Sequence, residues 1–436
     1  MARNEAGFLV VEDMKQSKAY DRITKESPIF SPDSQKLIFR ASRKGKWCVV
    51  INFKDQKFYP NGVSIPVISP DSKHIAYVAQ MGKKQFVVVD GKEQKAYDSI
   101  LRMHSPVFSP DSRHIAYVAV KGKKMLVVED GKEGKYYDKA SPPVFSPDSG
   151  HIMYSAKRDN RGFIVVDGKE GPKYDSIGVF MFSPDSKHVI YSARRGKKWC
   201  MVMDGKEGPK YSDLSIPAFS QNSRHFMYTA KKESKYMVIR DNKIVGSGYD
   251  KVQFINLSPD SKHFVYTAQE GDKWFVVTDK NKGPIYDSVA LPIYSPDSQH
   301  LLYIALKGNK RTIILDGKRG KYYDMVTVPI FSPDSKHVAY MAKEKGKWMV
   351  VKDGKESKKY DGVAIPRFSP DSKHLAYAAM ENRQWFVVYD GKESRNRFPG
   401  FIKGASLVFD SPTHLHILAI REPGPEFIRL EIGVRR

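Results

Sequence analysis

The sequence lacks the features of a disulfide-stabilised or membrane-spanning protein. Its 436 residues include only two cysteines, Cys48 and Cys200, too few for a disulfide framework or a cysteine-based metal cluster. No stretch of 18 uncharged apolar residues occurs, so no transmembrane segment is predicted. The apolar run at Phe8–Val11 is shorter than the core of a secretory signal. We therefore expect a cytoplasmic protein.

Sequence motifs of catalysis are missing as well. The chain contains no G-x-S-x-G elbow, no H-E-x-x-H zinc motif, no phosphate-binding loop and no G-x-G-x-x-G. We therefore predict no catalytic residue, no cofactor and no metal site, and we do not expect an enzyme.

What the sequence does contain is a repeat of 37–40 residues marked by the tetrapeptide Ser-Pro-Asp-Ser. A worn eleventh copy lies at Phe409–His414. Periods of this length are typical of solenoids and propellers. The copies that define repeats 1 to 10 begin at Ser31, Ser69, Ser109, Ser146, Ser183, Ser220 (as Ser-Gln-Asn-Ser), Ser258, Ser295, Ser332 and Ser369.

Repeat 3 shows what one unit contains. Four β-rich runs, which we name strands a to d, are separated by Gly/Pro/Asp turns, and no helical periodicity is present. The third run is apolar on consecutive residues, which indicates burial on both faces. Four-stranded units of about 40 residues predict β-propeller blades. The runs are Pro106–Phe108, His114–Ala119, Met125–Val128 and Tyr136–Asp138.

Ser-Pro-Asp followed by a basic residue and an apolar-aromatic strand resembles the WD40-like repeat of TolB-type propellers, over residues 7–434. The resemblance implies a propeller that binds other proteins or precedes a hydrolase domain. The family usually has glycine where this chain has Ser34, Ser72 and Ser112. The turn is therefore not expected to require a positive φ at this serine.

Strand counting predicts an all-β chain, residues 1–436, that forms a single large β-propeller of about eleven four-stranded blades. Residues 1–30 supply closing strands c (Phe8–Asp13) and d (Lys18–Asp21), residues 31–403 form ten full repeats, and residues 404–436 form a degenerate closing repeat. Phe427–Val434 is a second c strand, so one of the two is redundant. Two smaller propellers of five and six blades are the alternative. We expect a monomer.

Histidines and tryptophans occupy fixed repeat positions. Equivalent residues in successive blades cannot converge on one ion, so the histidines are expected to bond to the aspartate turns rather than to a metal. The tryptophans begin strand c and are expected to pack between blades, with an aromatic platform for bases or sugars as the alternative. Other repeats are expected to carry Gln85, Met125, Phe163, Tyr236 and Thr312 there. The shared histidines are His74, His114, His151, His188, His225, His263, His300, His337 and His374, and the tryptophans are Trp47, Trp199, Trp274, Trp348 and Trp385.

Positive charge is concentrated in the turns between strands b and c. The chain carries a net charge of +24, the ten b–c turns together carry +20, and repeats 1–5 hold +14 of it. Nine aspartates that close strand d are expected at the same edge and reduce the sum to +11, so turns made soluble by lysine are the alternative explanation. The residues predicted to bind an anionic partner are Arg43, Lys44, Lys46, Lys121, Lys123, Lys124, Arg194, Arg195, Lys197, Lys198, Lys307, Lys310 and Arg311.

The sequence thus predicts a non-catalytic scaffold or binding protein whose basic face binds a protein or polyanionic partner. The alternative is a small-ligand or carbohydrate binder, or an enzyme, that uses the central channel. That alternative needs polar side chains in the connections from strand d to strand a. These connections are instead expected to be apolar, as in Ser288–Leu291, Met325–Val328 and Gly362–Ile365.

Overall fold

The structure is a computed structural model that describes residues 2–4, 7–12, 15–24, 28–101, 106–279, 281–401, 407–421 and 426–433. The predicted strand ends Asp13 and Val434, and the predicted boundary between residues 403 and 404, lie outside these residues. The described residues form antiparallel β-sheets, and they include no helix long and apolar enough to cross a membrane. The chain divides into an N-terminal unit, residues 1–214, and a C-terminal unit, residues 215–436.

The N-terminal unit contains repeats 1–5, each folded as one sheet in the order a-b-c-d. Strands b are Leu37–Arg43, Ile75–Met81, Ile115–Lys121, Ile152–Arg158 and Val189–Arg195. Strands c are Lys46–Ile51, Lys84–Val89, Lys124–Glu129, Arg161–Val166 and Lys198–Met203. Strands d are Lys54–Asp55, Lys92–Glu93, Lys132–Glu133, Lys169–Glu170 and Lys206–Tyr211. Strands a are Arg22–Ile23 with Ile29–Phe30, Val67–Ile68, Ser99–Ile100 with Val107–Phe108, Lys139–Ala140 with Val144–Phe145, and Ser176–Phe182.

The same unit begins with Ala2–Asn4, Gly7–Leu9, Val11–Glu12 and Lys15–Gln16, and ends with Asp213–Leu214. Phe8 bridges Tyr20, as Trp47 bridges Tyr59 between strands c and d of repeat 1. Part of the predicted N-terminal c strand therefore forms, whereas the predicted d strand is limited to the bridge at Tyr20, and the role of both in closing a ring stays a prediction. Ala2–Asn4, which pairs with Gly7–Leu9, is an additional strand that the repeat pattern did not predict.

The C-terminal unit contains repeats 6–10 and the degenerate eleventh. Strands b are Phe226–Lys232, Phe264–Glu270, Leu301–Lys307, Val338–Glu344, Leu375–Glu381 and His414–Arg421. Strands c are Lys235–Arg240, Lys273–Thr278, Lys310–Leu315, Lys347–Lys352, Gln384–Tyr389 and Glu426–Gly433. Strands d are Lys243–Tyr249, Lys318–Arg319, Lys355–Glu356 and Lys392–Glu393. Strands a are Ala218–Phe219, Lys251–Leu257, Ser288–Tyr294, Met325–Val326 with Ile330–Phe331, Gly362–Val363 with Arg367–Phe368, and Gly400–Phe401 with Val408–Ser411.

Successive sheets pack face to face through alternating side chains. In repeat 3, Ala116 and Val118 of strand b pack toward repeat 4, whereas Tyr117 and Ala119 pack toward repeat 2. Strand c is buried on consecutive residues, as predicted, because its two faces contact two different neighbours. Each fully buried aliphatic side chain contributes about 1.5–3 kcal/mol. The all-β propeller-blade fold is confirmed, whereas the number of blades in one ring and its closure stay predictions.

Strand a begins earlier in the chain than the sequence analysis predicted. The segments Ser288–Leu291, Met325–Val328 and Gly362–Ile365 were expected to be d–a connections. They instead contain or begin strand a, since Val289, Val326 and Val363 pair with strand b of their own repeats. Strand a enters its sheet immediately after the aspartate that closes strand d. In most repeats an irregular or proline-containing segment then divides it into two short pieces.

The Ser-Pro-Asp-Ser turn contradicts the expectation for its last serine. This serine has a φ between 60° and 66° in all ten repeats, although only glycine adopts that region freely. The physical reason for keeping serine is its hydroxyl. Ser112 Oγ accepts the backbone N–H of Asp71 in the preceding repeat at 3.0 Å, and Ser72 Oγ accepts that of Asp33 at 3.0 Å.

Other polar groups of the turn form hydrogen bonds within the turn itself. The hydroxyl of Ser69 donates to the Asp71 carboxylate at 2.6 Å and accepts the N–H of His74 at 2.9 Å. Ser69 is completely buried. The side chains of this turn therefore bond within the turn. The backbone N–H of Asp71 remains available and bonds to the next repeat.

We predict that Ser112→Ala lowers the free energy of unfolding by about 1–2 kcal/mol, because the Asp71 N–H loses its partner while the strained φ remains. Ser112→Gly loses the same hydrogen bond but relieves the strain, so it should cost less. Urea unfolding monitored by tryptophan fluorescence ranks the three proteins. An alanine variant as stable as the glycine variant would contradict this account.

Candidate functional site: a basic edge of the N-terminal unit

The b–c turns of repeats 1–5 lie at one edge of the N-terminal unit. The end of strand d in repeat 2 reaches this edge, because Asp98 Oδ2 accepts the N–H of Gly122 in the b–c turn of repeat 3 at 2.6 Å. We call these five turns the basic edge. They are Arg43–Lys46, Gly82–Lys84, Lys121–Lys124, Lys157–Arg161 and Arg194–Lys198.

The aspartate that closes strand d neutralises one cation in most repeats. In repeat 3, Asp138 Oδ1 accepts a hydrogen bond from Lys124 Nζ at 2.6 Å, and its Oδ2 accepts the N–H of Asp159 in the next turn at 2.9 Å. The aspartate therefore joins its own c strand to the neighbouring blade. The equivalent ion pairs are Lys84–Asp98, Arg161–Asp175, Lys235–Asp250, Lys273–Asp287, Lys310–Asp324 and Lys347–Asp361. These cations thus pair with the aspartates that close strand d, which the sequence placed at the same edge.

Among repeats 1–5, repeats 1 and 5 have no aspartate directly after the strand-d tyrosine. In repeat 5 the expected closing aspartate, Asp213, comes one residue later and forms no ion pair among the described residues. Pro60 follows the strand-d tyrosine in repeat 1, and Ser212 follows it in repeat 5. Asn61 Oδ1 accepts the N–H of Gly82 at 2.8 Å, so the backbone contact is kept by a neutral group. Lys46 and Lys198 consequently have no ion-pair partner within the part of the chain that the structure describes.

Two predicted binding residues have structural roles instead. Arg43 Nη1 lies 3.1 Å from Asp55 Oδ2, and its guanidinium covers the Tyr20 ring at 4.8 Å. Arg195 Nη2 lies 3.0 Å from Glu207 Oε1, and its guanidinium covers the Tyr174 ring at 4.4 Å. Both are held against strand d and are less available to a partner than the turn lysines.

The remaining predicted residues differ in exposure and in pairing. Lys124 and Lys310 belong to the ion pairs above, Arg194 is exposed with its guanidinium 5.6 Å from the Trp199 ring centroid, and Arg311 is half-buried. The residues that are exposed and without an ion pair, among those described, are Lys44, Lys46, Lys121, Lys123, Lys197 and Lys198 at the basic edge and Lys307 in the C-terminal unit.

The tryptophan position is half-buried, and its register corrects the expectation for two repeats. Gly162 bridges Tyr174 and Arg311 bridges Tyr323, as Trp47 bridges Tyr59. Gly162 and Arg311, not Phe163 and Thr312, therefore occupy the tryptophan position. Trp47 packs against the cluster between repeats 1 and 2, which supports the packing role. Because glycine occupies this position in repeat 4, a cavity lies beside Gly162, which the sequence analysis did not predict.

The nine repeat histidines bond to turn aspartates, as predicted. His74 Nδ1 lies 2.7 Å from Asp90 Oδ2, and Asp90 Oδ1 accepts the N–H of Ile75 at 2.9 Å. Asp90 belongs to the Asp-Gly turn between strands c and d, at the edge opposite the basic turns. Among the described residues no three His, Cys, Asp or Glu side chains come together as a metal site. Cys48 and Cys200 are buried and unpaired.

Comparison with known proteins yields fold likeness only. No protein family model matches the chain, and no curated protein matches it. Similar solved structures include the Dos1 propeller, at 10% identity and a TM-score of 0.32, with 66% of this chain and 92% of that chain covered. TolB from Acinetobacter baumannii is 13% identical with a TM-score of 0.26, over 57% of this chain and 77% of that one.

A third similar structure is the β-propeller domain of the Trilobed protease from Pyrococcus furiosus, at 12% identity and a TM-score of 0.29, with 60% and 96% covered. All three are propellers, including TolB. At these identities and TM-scores no residue correspondence is drawn, and the WD40-like family stays a prediction.

The aspartates that close strand d have lowered pKa values, so the stability of the fold should decrease in acid. The hydrogen bond from Lys84 holds the pKa of Asp98 below its usual range, the one from Lys124 does the same for Asp138, and the backbone N–H of Gly196 lowers the pKa of Asp175. A depressed pKa stabilises the fold above the unfolded value, near 4, and this stability is lost as the pH falls through the folded value.

We therefore expect the urea midpoint to fall as the pH is lowered from about 5 through 4 and below. A variant that combines Asp98→Asn, Asp138→Asn and Asp175→Asn should show a flatter profile over the same interval. Identical acid dependence in the two proteins would refute the role assigned to these carboxylates.

Proposed function

We propose that this chain is a non-catalytic β-propeller binding protein that uses the basic edge of its N-terminal unit to bind an anionic partner. The partner is an acidic protein or a polyanion. The monomeric state and the cytoplasmic location expected from the sequence remain part of the proposal.

The observation that carries the proposal is the uneven neutralisation of the turns. Where the closing aspartate is present, a carboxylate within the protein already binds the first cation of strand c. Where Pro60 or Ser212 replaces it, Lys46 or Lys198 is left exposed. In repeat 5 this lysine adjoins Lys197 and Arg194, so three exposed cations stand together without an ion-pair partner among the described residues.

An edge of this kind attracts anions mainly through long-range electrostatics. Exposed single ion pairs contribute little, typically below about 1 kcal/mol. Several lysines that release counterions together produce affinity that depends steeply on salt. Solubility alone does not account for the missing ion pair in repeats 1 and 5, because an aspartate paired with Lys46 or Lys198 would also be soluble.

We predict that combining Arg194→Glu, Lys197→Glu and Lys198→Glu lowers the salt concentration at which the protein elutes from heparin. With a duplex oligonucleotide as the polyanion, the slope of log K against log salt should also fall by about 3, one for each lost cation. The matched control carries Lys92→Glu, Lys132→Glu and Lys169→Glu, three exposed lysines in the c–d turns of the opposite edge. Equal loss of retention in the two triple variants would show that net charge, rather than the basic edge, determines binding.

A change of opposite sign provides a second test. Asp98→Asn with Asp138→Asn removes the carboxylates that bind Lys84 and Lys124, while the amide oxygen still accepts the turn N–H, as Asn61 does. We expect heparin retention to increase, because two cations become free. The control is Asp90→Asn with Asp130→Asn at the opposite edge, which changes the charge equally. Unchanged retention after freeing Lys84 and Lys124 would contradict the proposed binding edge.

A further inference from the structure

Repeat 4 contains a cavity of about 220 Å³ that none of the roles described so far explains. It lies within the N-terminal unit, between the sheet of repeat 4 and strand a of repeat 5. Its lining includes Lys139, Lys157, Ser141, Ser155, Ser176 and Asp175. Lys157 is the first residue of a b–c turn, so the cavity opens at the basic edge.

The cavity exists because glycine occupies the tryptophan position. A Cβ at Gly162 would lie 3.4 Å from Ile177 Cγ1 and from the Ile177 backbone nitrogen, and 3.7 Å from the Ser176 carbonyl carbon. These are ordinary contact distances, so a side chain could begin here without displacing the backbone. In repeats 5 and 9 a tryptophan occupies this position, and its ring makes a cation–π contact with a basic residue of strand b. Arg194 lies 5.6 Å from the Trp199 ring and Lys343 lies 5.5 Å from the Trp348 ring. Lys157 has no such ring.

Lys157 instead faces a second lysine. Lys139 of strand a is its direct cross-strand partner, and Gly162 is its partner on strand c. Like charges placed directly opposite each other destabilise a sheet. Equivalent pairs in the other described repeats contain at most one charged residue, such as Ser176 with Arg194, or none, such as Ser99 with Val120. Neither lysine has an ion-pair partner among the described residues.

The one carboxylate in the lining is already engaged. Asp175 pairs with Arg161, and its Oδ2 accepts the N–H of Gly196 at 2.6 Å. The hydroxyl of Ser141 donates to the carbonyl of Pro142 at 3.1 Å. The two lysines of the lining therefore have no carboxylate partner there, and Ser155 and Ser176 line the same cavity.

We propose that this cavity binds a phosphate group. Two lysines act as point charges and serine hydroxyls as further donors, which suits a tetrahedral oxyanion, whereas carboxylates favour the planar fork of arginine. The bound anion would relieve the repulsion between Lys139 and Lys157. The inference deepens the proposed function and rests on it, since it assigns the chemical class of the anion that the basic edge receives.

The test is calorimetric titration of the full chain with inorganic phosphate in phosphate-free buffer. Gly162→Trp places in the cavity the residue that five other repeats carry, and Lys139→Ser introduces the residue found at this position in repeats 3 and 5. We expect saturable binding to the native protein, weakened about tenfold or more by either change. Lys92→Ser, at the opposite edge, is the matched control and should bind as the native protein does.

A second measurement does not depend on binding. Without phosphate, Lys139→Ser should unfold at a higher urea concentration than the native protein, because the like-charge pair is gone. Phosphate should raise the midpoint of the native protein and leave that of Gly162→Trp unchanged.

Absence of saturable heat with the native protein, or equal affinity in Gly162→Trp, overturns the phosphate site. Heparin retention separates this failure from that of the proposed function, because it depends on Arg194, Lys197 and Lys198 and not on Gly162. A trinucleotide with and without a 5′-phosphate distinguishes the source. Preferential binding of the phosphorylated form assigns the phosphate to a larger partner, and equal binding of both forms, with free phosphate bound, assigns it to a small ligand.

Discussion

The hydrogen bond between the serine hydroxyl of one Ser-Pro-Asp-Ser turn and the aspartate N–H of the preceding turn is the contact on which the rest of the structure depends. It requires a serine in the left-handed region of φ, a conformation that costs a residue with a side chain about 1–2 kcal/mol. The same bond joins Asp111 to Ser149 and Asp148 to Ser186 in the N-terminal unit. Because successive turns within each unit are anchored to their neighbours at the same atom, equivalent loops in a unit are carried to the same edge of its stacked sheets.

Aspartate performs a different task at each edge. In the c–d turn, Asp130 binds the His114 ring and the N–H of Ile115, which fixes the start of strand b. At the end of strand d, Asp138 binds a lysine of its own blade and the backbone of the next. The second arrangement neutralises one lysine of the repeat, whereas Lys121 and Lys123 of the adjoining turn stay without an ion pair among the described residues. The anion binding that we propose therefore depends most on the places where the repeat departs from its own pattern, at Pro60, at Ser212 and at Gly162.

Much of the fold could be predicted because its signals are local. Apolar residues on consecutive positions of strand c indicate two buried faces, and Asp-Gly pairs such as Asp90-Gly91, both at positive φ, form the tight turns that their sequence favours. The partner of the histidines could likewise be predicted, since a histidine and an aspartate recur together in repeats 2–10. The early entry of strand a into its sheet was not accessible, because pairs such as Ser99 with Val120 carry no periodic pattern.

The sequence by itself determined the repeat, the four-stranded unit, its turns and the placement of lysines between strands b and c, because each depends on residues close together in the chain. Only the tertiary structure decided which of those lysines are neutralised, since Lys124 and Asp138 are distant in sequence and adjacent across a sheet. It also decided that Ser112 adopts a positive φ and that Gly162, rather than Phe163, takes the tryptophan position. Both follow from contacts that cross between strands or between blades, and such contacts leave no mark on a single strand's sequence.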